Sequence, residues 1–191
     1  SLTANDDGVG IPRVLVSRHA LVASSPADAL RRATLPGRAG GYGHSFAFGS
    51  GSAMSIETSA TRFAVNGQPG SHTNHYTDTE LADRAPPPSQ GSLARLARLQ
   101  ALVTERSPAT PAAIGEILAD HGGDGPQRIC EHGAADVEAA GEPQGMDRVP
   151  PDEASAVVFS MICDLDLGRM WVAPGSPCVT AYEEVDLAGV V

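Results

Sequence analysis

Apolar residues at helical spacing predict two helices near the start of the chain. Between residues 12 and 23, apolar positions that include Leu15 and Val22 recur with the period of a helix face. Ser25 follows where a helix N-cap is expected, with Pro26 at the first helical position and an acidic residue three places after the cap. The pattern therefore predicts a second helix that begins at Pro26.

Short runs of alternating polarity follow these helices and predict a β region. The predicted strands are Tyr42–Phe48, Ala53–Thr58, Thr61–Val65 and Ser71–Tyr76. Asn66-Gly67 is a strong turn signal between the third and fourth of them. Residues 85–91 contain three consecutive prolines, which favours a loop or hinge at the end of the β region.

The second half of the chain repeats the order of helices followed by strands. An apolar stripe predicts a helix through Leu93 and Leu102, and Thr110 predicts the cap of another. The nearly continuous apolar run Ala156–Cys163 is typical of a central strand that is buried on both faces. The remaining predicted elements are strands at Met170–Ala173 and Val179–Val185 and an acidic surface loop at Gly133–Pro151. This order favours an α+β layered sandwich in a single domain of residues 1–191.

Composition and charge remove several classes of function. The formal net charge is −10, which repels phosphate backbones and argues against nucleic-acid binding. All thirteen basic residues are arginine, so this chain cannot use a lysine base or Schiff base. Apolar runs are too short to span a bilayer, and residues 1–7 have no secretory signal pattern. These observations predict a cytoplasmic protein that binds no membrane.

The three cysteines do not follow a spacing that indicates a disulfide framework or a zinc motif. Cys130, Cys163 and Cys178 are odd in number and irregularly placed. We expect them to be reduced, with Cys163 inside the core because it lies in an apolar run. Cys130 and His132 could form a thiol–imidazole pair, although a buried and inert cysteine is the more common state. No cofactor is predicted.

Several motifs in order along the chain carry a family resemblance. They are Asn5, Gly10-Ile11-Pro12-Arg13, Ile56-Glu57-Thr58, His72-Thr73-Asn74-His75-Tyr76, Ile129-Cys130-Glu131-His132 and Gly175-Ser176-Pro177-Cys178. Together they resemble the isopenicillin N acyltransferase-like family of cysteine N-terminal-nucleophile hydrolases. The resemblance implies a four-layer αββα sandwich made as an autoprocessed precursor. It also implies a thioester mechanism, in which the freed N-terminal cysteine is the nucleophile and its own α-amine is the base.

The cysteines of this chain do not occupy the nucleophile's place in that family. The family's nucleophile lies upstream of the stretch that residues 1–5 resemble, and each cysteine here lies mid-chain or later. We therefore expect that roughly the first third of the domain is missing at the N-terminus. The expected partners are this missing segment of the same precursor and a small-molecule amide or acyl-thioester substrate. The chain alone should be inactive, and its unpaired sheet edge should favour self-association.

Asn74 and His72 are the site residues that the resemblance and the strand pattern indicate. In a strand, His72, Asn74 and Tyr76 would share one face. The Asn74 amide could then stabilise the oxyanion of a tetrahedral intermediate, whereas the alternative is an asparagine that satisfies a turn. His72 is expected to shape the substrate pocket or to hydrogen-bond the strand ends, and His75 to be structural. The two histidines would point to opposite faces of a strand, so no metal site is predicted. Glu57 could be a strand-end carboxylate near the pocket, but a solvated carboxylate is the default expectation.

Two further hypotheses stay open on the sequence alone. Ser1 could be a mature N-terminal nucleophile, in which case it should lie within a few ångströms of Asn74. Alternatively, the chain could be a non-catalytic binding module that retains only the fold.

Overall fold

The computed structural model describes residues 2–122, 128–131 and 157–185. They form two compact units, an N-terminal unit (Ser1–Leu93) and a C-terminal unit (Ala94–Val191). Helices and strands are mixed along the chain, which is compatible with the predicted α+β class. The single domain of residues 1–191 stays a prediction, and the loop predicted at Gly133–Pro151 lies outside the described residues.

The helices and strands follow the predicted order with shifted ends. In the N-terminal unit they are α1 (Arg13–Leu21), α2 (Pro26–Ala33), β1 (Tyr42–Ala47), β2 (Ala53–Thr58), β3 (Phe63–Asn66) and α3 (Thr79–Ala82). Helix α4 (Gln90–Arg106) begins there, and the C-terminal unit holds α5 (Pro111–Leu118), β4 (Ser160–Asp164), β5 (Arg169–Ala173) and β6 (Glu183–Val185). No helix of the described chain is both long and apolar enough to cross a membrane.

Local sequence signals set the start of α2, as predicted. The Ser25 hydroxyl accepts a hydrogen bond from the Asp28 amide at 3.2 Å, and Pro26 occupies the first turn, where its missing N–H costs nothing. Leu30 is half-buried and packs against the core, as expected. In α1, by contrast, the buried residues do not include Leu15 or Val22, which are 55% and 68% exposed.

Strands β1, β2 and β3 form an antiparallel sheet in that order. Tyr42 pairs with Thr58 at one end of the β1–β2 ladder. The core on this sheet packs α2 against β2 and consists of Ala20, Ala29, Ala33, Met54 and Ile56. The strand predicted at Ser71–Tyr76 is wrong, because this segment follows bends and open backbone and joins no sheet. Its polar groups bond to side chains on other elements instead, as described for the site.

His44 on β1 is a buried histidine that the fold keeps neutral. Its Nε2 lies 3.1 Å from the Ser17 hydroxyl, and its Nδ1 is buried with no hydrogen-bond partner among the described residues. Burial, with a smaller contribution from the positive charge of Arg38, lowers the pKa of His44 to about 4. Protonation of this imidazole in the folded protein is therefore costly.

Stability should fall as the solution is acidified below the pKa of an unfolded histidine. The unfolded His44 takes up a proton near pH 6.5, whereas the folded one resists until about pH 4. The contribution of the neutral imidazole to the free energy of unfolding is thus complete above pH 6.5. It is lost as the pH falls towards 4, by about 3 kcal/mol in all. The free energy of unfolding, measured with urea across this pH range, should depend less on pH in His44→Phe than in the wild type. His19→Gln, which alters an exposed histidine, should keep the wild-type pH dependence. An unchanged slope in His44→Phe would contradict the assignment.

The C-terminal unit holds a second antiparallel sheet in the order β4-β5-β6. The strand predicted at Ala156–Cys163 forms from Ser160 onward, but its predicted burial on both faces is wrong for the described residues 157–163. Strand β4 begins at Ser160 and is an edge strand of the described sheet, and Phe159 before it is 59% exposed. Cys163 is exposed as well, so its predicted core position is also wrong. The run is apolar, but one of its faces has no cover among the described residues.

Shorter corrections apply to the helices and the last strand of this unit. The Thr110 hydroxyl accepts from the Ala113 amide at 3.2 Å, which confirms the predicted cap of α5. On this helix Ile117 is buried, whereas Ile114 is 37% exposed. The strand predicted from Val179 forms only at its end, because the backbone N–H groups of Val179 and Thr180 bond to the Ser176 carbonyl in a turn.

Candidate active site

Glu57, at the end of β2, organises the segment that carries the predicted site residues. It is 5% exposed, so the expected solvated carboxylate is wrong. Its oxygens accept from His72 Nε2 at 2.7 Å, from the Thr77 amide and hydroxyl at 2.8 Å, and from the Asp78 amide at 2.8 Å. Burial opposes ionisation, but these hydrogen bonds prevail and lower the pKa of Glu57 to about 2. A carboxylate bonded in this way is charged at neutral pH and fixes both ends of the segment.

Ser92 fixes the middle of the same segment from the first turn of α4. Its buried hydroxyl accepts from the Asn74 backbone N–H at 2.8 Å and lies 2.8 Å from His75 Nδ1. The Thr73 hydroxyl donates to the Ser92 carbonyl at 2.9 Å. Because main-chain and side-chain groups on three consecutive residues are bound to one serine, the backbone at Asn74 is held in one conformation.

Tyr76 closes the segment against the sheet. Its hydroxyl donates to the Thr58 carbonyl at 2.8 Å, and its ring is buried. The hydroxyl passes so close to Gly41 that a Cβ there would lie 2.1 Å from it. Only glycine at position 41 allows this approach. The position of Tyr76 therefore requires a glycine immediately before β1.

The Asn74 side chain is exposed and lines a small cavity of the N-terminal unit. The cavity measures about 300 Å³ and is open to solvent on one side. It is lined by Thr3, Asn74, His75, Tyr76, Ala82, Ala85, Pro86, Pro87, Pro88 and Ser89. A volume of this size is at the lower end of those that hold small organic ligands. The proline-rich loop predicted at residues 85–91 therefore forms one wall of the cavity that Asn74 faces.

The structure separates the two predicted site residues. His72 is not among the residues that line the cavity, since its ring lies against Glu57 and the backbone at Gly43. His75 does line it, although the sequence indicated only a structural role. Burial, and then the proximity of His72, lower the pKa of His75, whereas the charge of Glu57 acts in the opposite direction. Neither histidine belongs to a group of three potential metal ligands among the described residues.

Two residues of the alternative predictions lie outside the described chain. Ser1 is one of them, so the Ser1–Asn74 distance that would distinguish the Ser1 hypothesis is not defined by the described residues. His132, the predicted partner of Cys130, is the other. Cys130 itself is fully buried.

A comparison with protein families identifies the family of this chain. A family model described as acyl-coenzyme A:6-aminopenicillanic acid acyl-transferase matches residues 2–137, more than half of the chain. The match places the protein in a class of acyl-transferring enzymes. The chain belongs to the acyl-coenzyme A:6-aminopenicillanic acid acyl-transferase family, which confirms the resemblance drawn from its motifs. No curated protein matches it.

Proposed function

We propose that this protein transfers acyl groups or hydrolyses amides through a thioester on an N-terminal cysteine. Family membership supports acyltransferase or hydrolase chemistry. Cys130, Cys163 and Cys178 carry no free α-amine, so the nucleophile comes from another segment of the same precursor, released by autoprocessing. An α-amine with a pKa near 8 can accept and return the thiol proton near neutral pH.

Asn74 is the proposed oxyanion donor, and the way its backbone is held is the observation that carries the proposal. Its N–H is bound to Ser92, and the residues around it are tied to Glu57 and Thr58. The side chain lines the cavity from this fixed position. Donors held in place before the reaction stabilise developing negative charge without reorganisation, which is the requirement for an oxyanion site.

His72 is proposed to support substrate binding through the segment rather than by touching the substrate. Its bond to Glu57 is one of the contacts that hold residues 72–78. The substrate is proposed to be a small-molecule amide or acyl thioester, whose reacting group would fit a cavity of about 300 Å³. The proposed complete fold is the four-layer αββα sandwich of N-terminal-nucleophile hydrolases.

The reaction class can be tested on the full-length gene product. Incubation with amide and thioester substrates should yield a covalent acyl adduct, and mass spectrometry should place it on an N-terminal cysteine created by backbone cleavage. Substituting serine for that cysteine should abolish turnover, and the isolated 191-residue chain should show none.

Each alternative predicts a different outcome of the same experiment. An acyl adduct on Ser1 would replace the cysteine mechanism with the serine one. An intact precursor with no adduct and no turnover would support the non-catalytic binding module and contradict the proposal.

A further inference from the structure

A group of potential metal ligands lies in the C-terminal unit and shares no residue with the candidate active site. It consists of His121, Cys130 and Cys178, one ligand atom from each, and these atoms all lie within 4.8 Å of one another. The two sulfur atoms are 3.5 Å apart. Cys130 is fully buried, and the other two residues are half-buried. An imidazole and two thiols in one partly enclosed place are a typical ligand set for a borderline-soft divalent metal.

Asp120 fixes the segments that carry His121 and Cys130 to each other. Its backbone carbonyl accepts from the N–H groups of Ile129 and Cys130, each at 3.1 Å. Its carboxylate accepts from the Gly122 amide at 3.0 Å and from Arg98 at 2.8 and 2.9 Å. The chain on both sides of His121 is thus fixed to a helix arginine and to the backbone that carries Cys130.

A turn holds the third ligand next to them. The Ser176 hydroxyl is buried and donates to the Glu131 carbonyl, one residue after Cys130. The Ser176 carbonyl accepts from the Val179 and Thr180 amides, which curls the chain around Cys178. Gly175 precedes the turn at a φ of +123°, a conformation that a side chain would strain. The turn that carries Cys178 is therefore hydrogen-bonded directly to the segment that carries Cys130.

The sulfur–sulfur distance distinguishes a metal site from a disulfide. A disulfide requires about 2.05 Å between the sulfur atoms. Two thiolates on one tetrahedral zinc ion, each about 2.3 Å from the metal, lie about 3.8 Å apart. The observed 3.5 Å is close to the second value.

We propose that His121, Cys130 and Cys178 bind one Zn²⁺ ion, with water as the fourth ligand. The neutral imidazole and two thiolates coordinate the metal, and the two thiol protons pass to solvent on binding. The ion joins the segment after α5 to the turn before β6 and so links two parts of the C-terminal unit that are distant along the chain. The sequence predicted no metal site because Cys178 lies 48 residues after Cys130 and fits no short zinc motif. The site does not depend on the proposed acyl chemistry.

Metal titration of the reduced, chelator-treated 191-residue chain tests this site. Zn²⁺ should bind with a stoichiometry of one per chain in competition with a chromophoric chelator, and it should raise the melting temperature. Co²⁺ should give a thiolate-to-metal charge-transfer band in the near ultraviolet, and added Zn²⁺ should remove that band.

Substitutions identify the ligands. His121→Ala and Cys178→Ser replace residues that are not fully buried, so folding, checked by circular dichroism, should survive. Each should weaken Zn²⁺ binding by more than the ~10–100-fold that loss of an outer hydrogen-bonding partner costs. Cys163→Ser is the matched control, because this cysteine is exposed and outside the cluster, and it should leave affinity and the Co²⁺ band unchanged.

Three results would overturn the proposal. One is a wild-type chain whose Co²⁺ complex has no thiolate band. Another is zinc affinity that is equal in His121→Ala, Cys178→Ser and the wild type. The last is a reduced chain that binds no metal, while oxidation joins Cys130 to Cys178 with loss of two hydrogens in mass, which would identify the pair as a disulfide.

Discussion

Asn74→Ala in the full-length protein is expected to lower kcat by about 100- to 1000-fold, the cost of removing one oxyanion donor. KM should change little, because the amide is proposed to bond to the oxygen more strongly once it carries negative charge. Folding should be preserved, since the side chain is exposed and the bond to Ser92 uses the backbone N–H. Steady-state kinetics on the mapped substrate measure the effect.

Two companion variants make this prediction specific. Asn74→Asp keeps the size of the side chain but replaces the donor with a negative charge, so it should be at least as inactive as the alanine variant. Asn66→Ala removes another asparagine of the same unit, whose side chain accepts from the Gln68 amide in an exposed turn, and it should retain activity. An Asn74→Ala enzyme with kcat within a few-fold of wild type would rule out the oxyanion role.

Glu57→Gln is expected to have the largest effect on stability of any change considered. A glutamine NH₂ would face donors from His72, Thr77 and Asp78, and the buried charge that they stabilise would be lost. Removing one partner from a buried hydrogen-bonded ionic network costs about 3–5 kcal/mol. Urea unfolding should show this loss at pH 7, and any activity of the full-length protein should fall with it because the Asn74 backbone loses its support.

The same variant should change the response to acid. The pKa of Glu57 is near 4.5 when unfolded and about 2 when folded. Its stabilisation is therefore complete above pH 4.5 and is lost as the pH falls towards 2, by about 3 kcal/mol. Glu57→Gln should lack this slope, whereas Glu80→Gln, which alters an exposed carboxylate in the same unit, should keep it. A Glu57→Gln protein as stable as wild type would contradict the assigned network.

Elements with local signals were predicted most closely from the sequence. The cap at Ser25 and the cap at Thr110 each need only a hydroxyl and a proline side by side, and both form as expected. Strand β2 has the predicted ends, Ala53 and Thr58, because it lies between a glycine-containing turn and a sharp corner. These features depend on a few neighbouring residues, which a single sequence displays in full.

The errors arise where distant residues decide the structure. Residues 71–76 have the alternation of a strand, but their polar groups are bound by Glu57 and Ser92, which lie 15 to 19 residues away along the chain. The burial of Glu57 follows from those bonds and has no local signature. The exposure of Cys163 also has no local signature. An apolar run indicates that a strand can be buried, but it does not show which of its faces is covered.

The site itself was predictable only in part. The His-Thr-Asn-His-Tyr motif lies on a segment that buried groups hold in place, and Asn74 lines a cavity, while the catalytic role of this segment stays a prediction. The separation of His72 from His75 was expected on strand geometry, yet the residue that reaches the cavity is His75. The strand periodicity placed His72, not His75, on the same face as Asn74. That placement is wrong because bends at Asn74 and His75 break the alternation. The proposed metal ligands were not predictable because they come from separate segments, with Cys178 48 residues after Cys130.

Binding of a substrate-derived aldehyde to the full-length enzyme tests the central claim most directly. Such an aldehyde adds reversibly to an active-site thiol and leaves an oxyanion-like oxygen, so its affinity reports transition-state stabilisation. Asn74→Ala is predicted to weaken this aldehyde by the same ~100- to 1000-fold as kcat/KM, with an unreactive amide analogue bound as in wild type. Equal aldehyde affinity in the two proteins would show that Asn74 does not stabilise the charged oxygen.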